Sequence, residues 1–131
     1  MPQIARVWRD IDVRFVPHPV TGDVTTVSGD DAIKQHLRLL VHLLPGEVLM
    51  RPDIEGGVTR FLFEVASSDL VERTVKKQVA TMIKELETRI DLVDVQVSFS
   101  EDENDLQVGF VYKNKNDSRV VEYETFIKRI R

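Results

Sequence analysis

Cysteine is absent from the 131 residues. That excludes disulfides, thiolate metal sites and cysteine nucleophiles together, and it fits maturation in a reducing cytoplasm. A basic excess is also missing: 18 Lys and Arg stand against 22 Asp and Glu, for a net charge of -4. Nucleic-acid binding through a broad basic face is therefore not expected. Long apolar runs are missing too. The longest cluster, Leu37 to Leu44, is interrupted by Arg38 and His42 and is too short to span a bilayer. No membrane contact is expected, and no secretion signal at the N-terminus. Without an internal repeat, a low-complexity stretch or a linker, one domain is expected over residues 1–131.

The common chemical motifs are missing as well. His36 and His42 stand six apart, which misses the i, i+4 spacing of helical zinc ligands, and His18 sits between prolines. "HPVTGDV" lacks the Gly-Lys-Ser/Thr ending of a phosphate loop. No serine lies in a nucleophile motif. No metal or cofactor is implied.

What is present is an ordinary globular mixture, 42% apolar and 31% charged. A chain of this size buries roughly two-thirds of the surface its unfolded form exposes, enough for one core. Asp10 to Phe15 alternates apolar and polar residues, as a half-buried strand does. A Thr-Gly-Asp turn follows, and Val24 to Val27 returns as a short second strand. "SGDDAIKQHLRLLVHLL" reads as a helix capped by Ser28 or Asp30. Its apolar face is Ile33, Leu37, Leu40, Val41 and Leu44, and Pro45-Gly46 ends it. After a Gly/Pro loop, a short helix is expected with Val58, Phe61, Leu62 and Val65 inward. The longest helix starts near Asp69, where Glu72 completes a capping-box variant. Its stripe is Leu70, Val71, Val75, Val79, Met82, Ile83, Leu86 and Ile90. Val93, Val95, Val97 and Phe99 then alternate, as do Leu106, Val108, Phe110 and Tyr112. Val120 to Ile130 forms a last run with apolar residues on both sides, a strand covered twice or facing a partner. The expected fold is α+β: three helices on one face of a small, mainly antiparallel sheet, in the order ββαααβββ.

Two groups of charges invite a functional reading. Glu47, Asp53, Glu55 and Glu64 flank the Gly/Pro loop, and glycosidases work with a pair of acids, one with a raised pKa. Spacing alone does not place such a pair. At the end of the longest helix, "ELETRI" sets Glu87 two residues before Arg89. Arg89 complements the helix dipole there, whereas Glu87 opposes it. Two residues apart on a helix, they point about 200° apart and cannot pair with each other. They are then groups waiting for another part of the domain or for a partner chain. The acidic run from Glu101 to Asp105 and the basic Lys128, Arg129 and Arg131 read most simply as a solvated turn and tail.

"TGDV", "AIKQHLRLLVHLLPGEVLMRPDIEGGVTRFLFE" and "ELETRIDLVDVQVSF" together resemble the small baseplate wedge proteins of contractile-tail phages. Relatives of that family serve type VI secretion systems and other contractile injection machines. The resemblance runs from about Asp10 to Tyr112. Its most specific parts are Pro45-Gly46-Glu47 to Arg51-Pro52, Gly56, Leu62-Phe63-Glu64, and Glu87, Arg89 and Ile90. Thr88 stands where the family usually has proline, and Glu55 where it usually has an aromatic residue.

The resemblance implies a structural protein of the virion tail baseplate, assembled in the host cytoplasm. It implies docking of Glu87, Thr88 and Arg89 on the helical core bundle of the larger wedge subunits, with Glu47, Arg51 and Pro52 as further contacts. It also implies that the tail sheath subunit adds a strand to the last strand, near Tyr123 and Ile127. Two alternatives remain open: a peptidoglycan-degrading tail lysozyme using Glu47 or Glu64 with Asp53, and a regulatory binding module. On the docking reading, Arg89→Glu leaves the fold intact and blocks assembly.

Overall fold

A computed structural model describes residues 8–43, 47–51, 68–100, 105–116 and 119–128. The elements run β1 (Arg9–Ile11), β2 (Thr26–Ser28), α1 (Asp30–His42), α2 (Ser68–Leu86), β3 (Ile90–Ser100), β4 (Asp105–Asn114) and β5 (Val120–Lys128). The expected order ββαααβββ is thus corrected to ββααβββ. The strands form two sheets, β1-β2 and β3-β4-β5, rather than one. The short helix expected near residues 58–65 falls outside the described residues.

The hairpin arm is a separate two-stranded sheet of three-residue strands. The alternation from Asp10 to Phe15 promised six strand residues, yet β1 stops at Ile11. Asp12 explains this. Its carboxylate accepts the Arg14 backbone N–H at 2.9 Å and the Arg14 guanidinium at 2.7–3.2 Å. A side chain that bonds its own backbone two residues on competes with the strand ladder and turns the chain. Antiparallel pairing still holds Asp10 opposite Val27, and a single bridge joins Pro17 to Val24. Gly22, at φ 70°, closes the turn at the tip and donates to the His18 carbonyl.

The inward face of α1 is the expected one: Ile33, Leu37, Leu40 and Val41 are buried, while Leu44 lies outside the described residues. The start differs. Gly29 is the N-cap, with no side-chain cap bond. Its φ of 61° suits glycine, and its N–H donates to the Trp8 carbonyl at 2.8 Å. Asp30, expected as a cap, instead accepts Asn114 Nδ2 at 2.8 Å and Arg119 at 3.4 Å.

The same happens in α2. Glu72 reaches out of the helix to accept the Phe99 backbone N–H at 3.1 Å, so it does not complete a capping box. Val71, Val75, Val79, Met82 and Ile83 are buried, at the i, i+4 and i+3 spacing of one face. Leu70 is exposed and Leu86 only half-buried, so the stripe is narrower than expected.

In the larger sheet β4 is central and antiparallel to both neighbours. Leu106, Val108, Phe110 and Tyr112 all face the core, as their alternation predicts. A register shift between Leu92 and Asp94 breaks the expected β3 pattern. It turns Val93 out to solvent and sends Leu92 against the core. Residues of both helices and of the larger sheet share one core cluster.

Candidate docking site

Helix α2 ends at Leu86. Glu87 makes the last helical bond, its N–H donating to the Ile83 carbonyl at 2.9 Å. The chain then turns, so Glu87, Thr88 and Arg89 no longer follow helical geometry. This overturns the expectation that Glu87 and Arg89 point apart. Arg89 Nε and Nη2 each donate to Glu87 carboxylate oxygens at 2.9 Å, a bidentate fork. The Arg89 backbone N–H adds a third bond at 3.1 Å. The sequence argument failed because it carried the helix through Arg89, past its end at Leu86.

Two residues that no motif singled out complete the cluster. His36, on α1, meets Glu87 Oε2 through Nδ1 at 2.5 Å. Asp10, on β1, accepts Arg89 Nη1 at 3.1 and 3.3 Å. The corner thus ties α2 to α1, the hairpin arm and, through the Lys115 N–H to the Arg89 carbonyl at 3.2 Å, the β4–β5 turn. Glu87 is 3% exposed, whereas Thr88 faces solvent.

Burial alone would push the Glu87 carboxyl up. The bonds from Arg89 and His36 outweigh it and hold the group down at about 2. Arg89 is correspondingly pushed up by Glu87, with burial opposing and Asp10 adding to the rise. Below the corner, Tyr112 is raised to about 12, first by burial and then by the Asp30, Tyr123 and Glu87 charges. A carboxylate locked into its charged form is a poor proton donor. Among the described residues the other displaced carboxyl, Asp12, is also lowered, by its bonds to Arg14. Glycosidase chemistry needs one acid moved upward. Asp53, Glu55 and Glu64 lie outside the described residues, and Glu47 is exposed.

The remaining residues expected at contacts are scattered. Arg51 is exposed near Glu47, and Pro52 lies outside the described residues. Tyr123 and Ile127 share the helix-facing side of β5. Ile127 is 2% exposed and belongs to the core. Tyr123 is half-buried and stacks on Phe110 with centroids 6.3 Å apart.

The other feature of β5 is its edge. Asn114 N–H bonds the Arg119 carbonyl at 3.3 Å where the β4–β5 hairpin closes. Bonded and non-bonded pairs alternate along an antiparallel ladder. The register therefore commits Val121, Tyr123, Thr125 and Ile127 to β4 and turns the N–H and C=O of Val120, Glu122, Glu124 and Phe126 outward. Phe126 also presents its ring, 55% exposed. Among the described residues β5 has no second strand neighbour.

No helix among the described residues is long and apolar enough to cross a membrane, and no metal-binding group of His, Asp and Glu occurs among them. No curated protein is significantly similar to the chain in sequence. Solved structures are similar in fold. A Geobacter sulfurreducens protein provisionally described as a tail lysozyme superposes with a TM-score of 0.66 at 21% identity, over 78% of this chain and 92% of its own. A subunit of the anti-feeding prophage baseplate gives 0.61 at 25% identity, over 92% and 84%. One from the postcontracted pyocin R2 baseplate gives 0.54 at 21% identity, over 93% and 99%. The family model described as baseplate wedge protein gp25 matches residues 27–117, which include α1, α2, β3, β4 and the Glu87–Arg89 corner, so the chain belongs to that family of structural proteins of contractile-tail baseplates.

Proposed function

We propose that this protein joins two parts of the baseplate. Its Glu87–Thr88–Arg89 corner docks on the helical core bundle of the larger wedge subunits, and the outer edge of β5 receives a strand of the tail sheath subunit. The observation that carries the proposal is the β5 edge, where four alternate residues, Val120, Glu122, Glu124 and Phe126, offer N–H and C=O groups to an incoming strand. At the corner the partner meets Thr88 and the outer side of Arg89, because the Glu87 carboxylate is already occupied.

That geometry changes the test. Reversing Arg89 would leave Glu87 without its fork and disturb the fold, so lost assembly would not identify a contact. Thr88→Arg adds bulk and charge at an exposed position and leaves the cluster whole. Co-purification with the large wedge subunits of the same genome should fail for Thr88→Arg while thermal melting stays unchanged. Retained co-purification would move the contact away from the corner. The tail-lysozyme likeness lies at 21% identity and carries fold only.

A further inference from the structure

Beside the β5 edge, on its helix-facing side, lies a groove of about 580 Å³. The hairpin arm contributes Asp12, Val13 and Arg14 to it, α1 contributes Arg38 and Leu39, and β5 contributes Tyr123. Its volume falls in the range of sites that enclose a small ligand or a few side chains. Leu39 and Val13, 41% and 44% exposed, give it an apolar lining. Its charge is positive. Asp12 has both oxygens bound by Arg14, while Arg38 has no ion pair among the described residues.

The position of Tyr123 connects the groove to the edge. Its backbone groups are used by β4, so an antiparallel strand added outside β5 faces it as a non-hydrogen-bonded pair. Such pairs bring Cα atoms to about 4.5 Å and side chains closest together. The added residue opposite Tyr123 has its side chain on the helix-facing side, where the groove is. The next residue on that face follows about 6.6 Å along the strand.

The geometry points to a groove that reads the side chains of the added strand: it takes a large apolar residue against Leu39, Val13 and Tyr123, and an acidic residue two positions away against Arg38. This rests on the strand addition proposed above. Backbone pairing along an edge is indifferent to sequence, so recognition has to come from side chains in pockets beside it. The groove supplies both an apolar and a charged criterion.

The test titrates the full chain with the tail sheath subunit of the same genome at 0.1 M and 0.5 M salt, using wild type, Arg38→Glu, Arg38→Lys, Leu39→Asp and Glu124→Pro. Glu124→Pro removes an outward N–H that β4 does not use, a substitution tolerated on strand edges, and reports on strand addition alone. We expect Glu124→Pro to abolish binding and Arg38→Lys to retain it. Arg38→Glu should bind about tenfold or more weakly at 0.1 M, with the gap narrowing at 0.5 M as charges are screened. Leu39→Asp should weaken binding at both salts. If Arg38→Glu and Leu39→Asp bind like wild type while Glu124→Pro fails, the groove has no reading role and strand addition stands. If Glu124→Pro binds like wild type, or wild type does not bind, strand addition fails and the groove assignment with it. Should Arg38→Glu prove unstable, the wild-type salt dependence decides: affinity indifferent to salt overturns the acidic criterion.

Discussion

Replacing Glu87 with glutamine should remove a pH dependence as well as an interaction. In the folded chain the carboxyl sits at about 2, against 4.5 for the free group. By linkage such a displacement corresponds to roughly 3 kcal/mol of stability. Because the group is lowered, that stability is complete above about pH 5, where the carboxyl is ionised in both states. It disappears as the pH falls toward 2, where the unfolded chain gains a proton the folded chain still refuses. Glutamine keeps one oxygen for Arg89 and offers no charge. Glu87→Gln should therefore lose roughly 3 kcal/mol at pH 7 and little or nothing at pH 2. Urea unfolding at steps between pH 2 and 7 measures both. With a slope near 1.5 kcal/mol per molar urea, the midpoint at pH 7 should drop by about 2 M. The two proteins should converge as the pH falls. A Glu87→Gln curve running parallel to wild type through that range would show that Glu87 is not the titrating group, and would refute the assignment of its pKa to Arg89 and His36.

Arg89→Ala should cost about 3 kcal/mol or more in urea unfolding, because it leaves a buried carboxylate with His36 as its remaining side-chain partner; a loss below 1 kcal/mol would show that the carboxylate is less buried than it stands here. Ile83→Ala should cost about 2–5 kcal/mol, since Ile83 is wholly enclosed. Leu86→Ala, one turn along but half-buried, should cost less than Ile83→Ala, and the reverse order would mean that the inner face of α2 is rotated. Tyr112→Phe should change stability by no more than about 1 kcal/mol, because the buried hydroxyl has no hydrogen-bond partner among the described residues. A loss of 2 kcal/mol would identify a bonded hydroxyl.

Periodicity made α1, α2 and β4 legible, because which residues face inward is a local property once the element is known. Leu106, Val108, Phe110 and Tyr112 alternated without interruption and all four are buried. What escaped depended on side-chain partners and element ends that periodicity does not encode, several of them distant in sequence. Asp30 and Glu72 stood where capping residues belong, yet Asn114 and Phe99 claim their oxygens. Nothing in "DLVDV" marked the register shift that turns Val93 outward. The hairpin arm stopped early because Asp12 found Arg14. Likewise, Glu87 and Arg89 were conspicuous as charges, but their pairing hinged on where α2 stops. His36 and Asp10 joined them from 51 and 79 positions away, a separation no local pattern encodes.

The corner's internal saturation bears on the docking proposed above. A glutamate waiting for a partner would require burying a free charge at each assembly step, a large desolvation cost. Here that cost is met during folding. Glu87 is charged, enclosed and bonded before any partner arrives. The same bonds fix the direction in which Thr88 and the outer side of Arg89 are presented, because three other parts of the chain anchor the corner: α1 through His36, the arm through Asp10, and the β4–β5 turn through Lys115. A contact surface held in this way loses little conformational freedom on binding. The β4–β5 turn also belongs to the hairpin whose second strand is β5, the proposed sheath-binding edge. With the docking proposed above, a rigid corner would set the direction of that edge relative to the wedge. On this reading, weakening Glu87 or Arg89 should harm assembly through misdirected strands even where the larger wedge subunits are still bound.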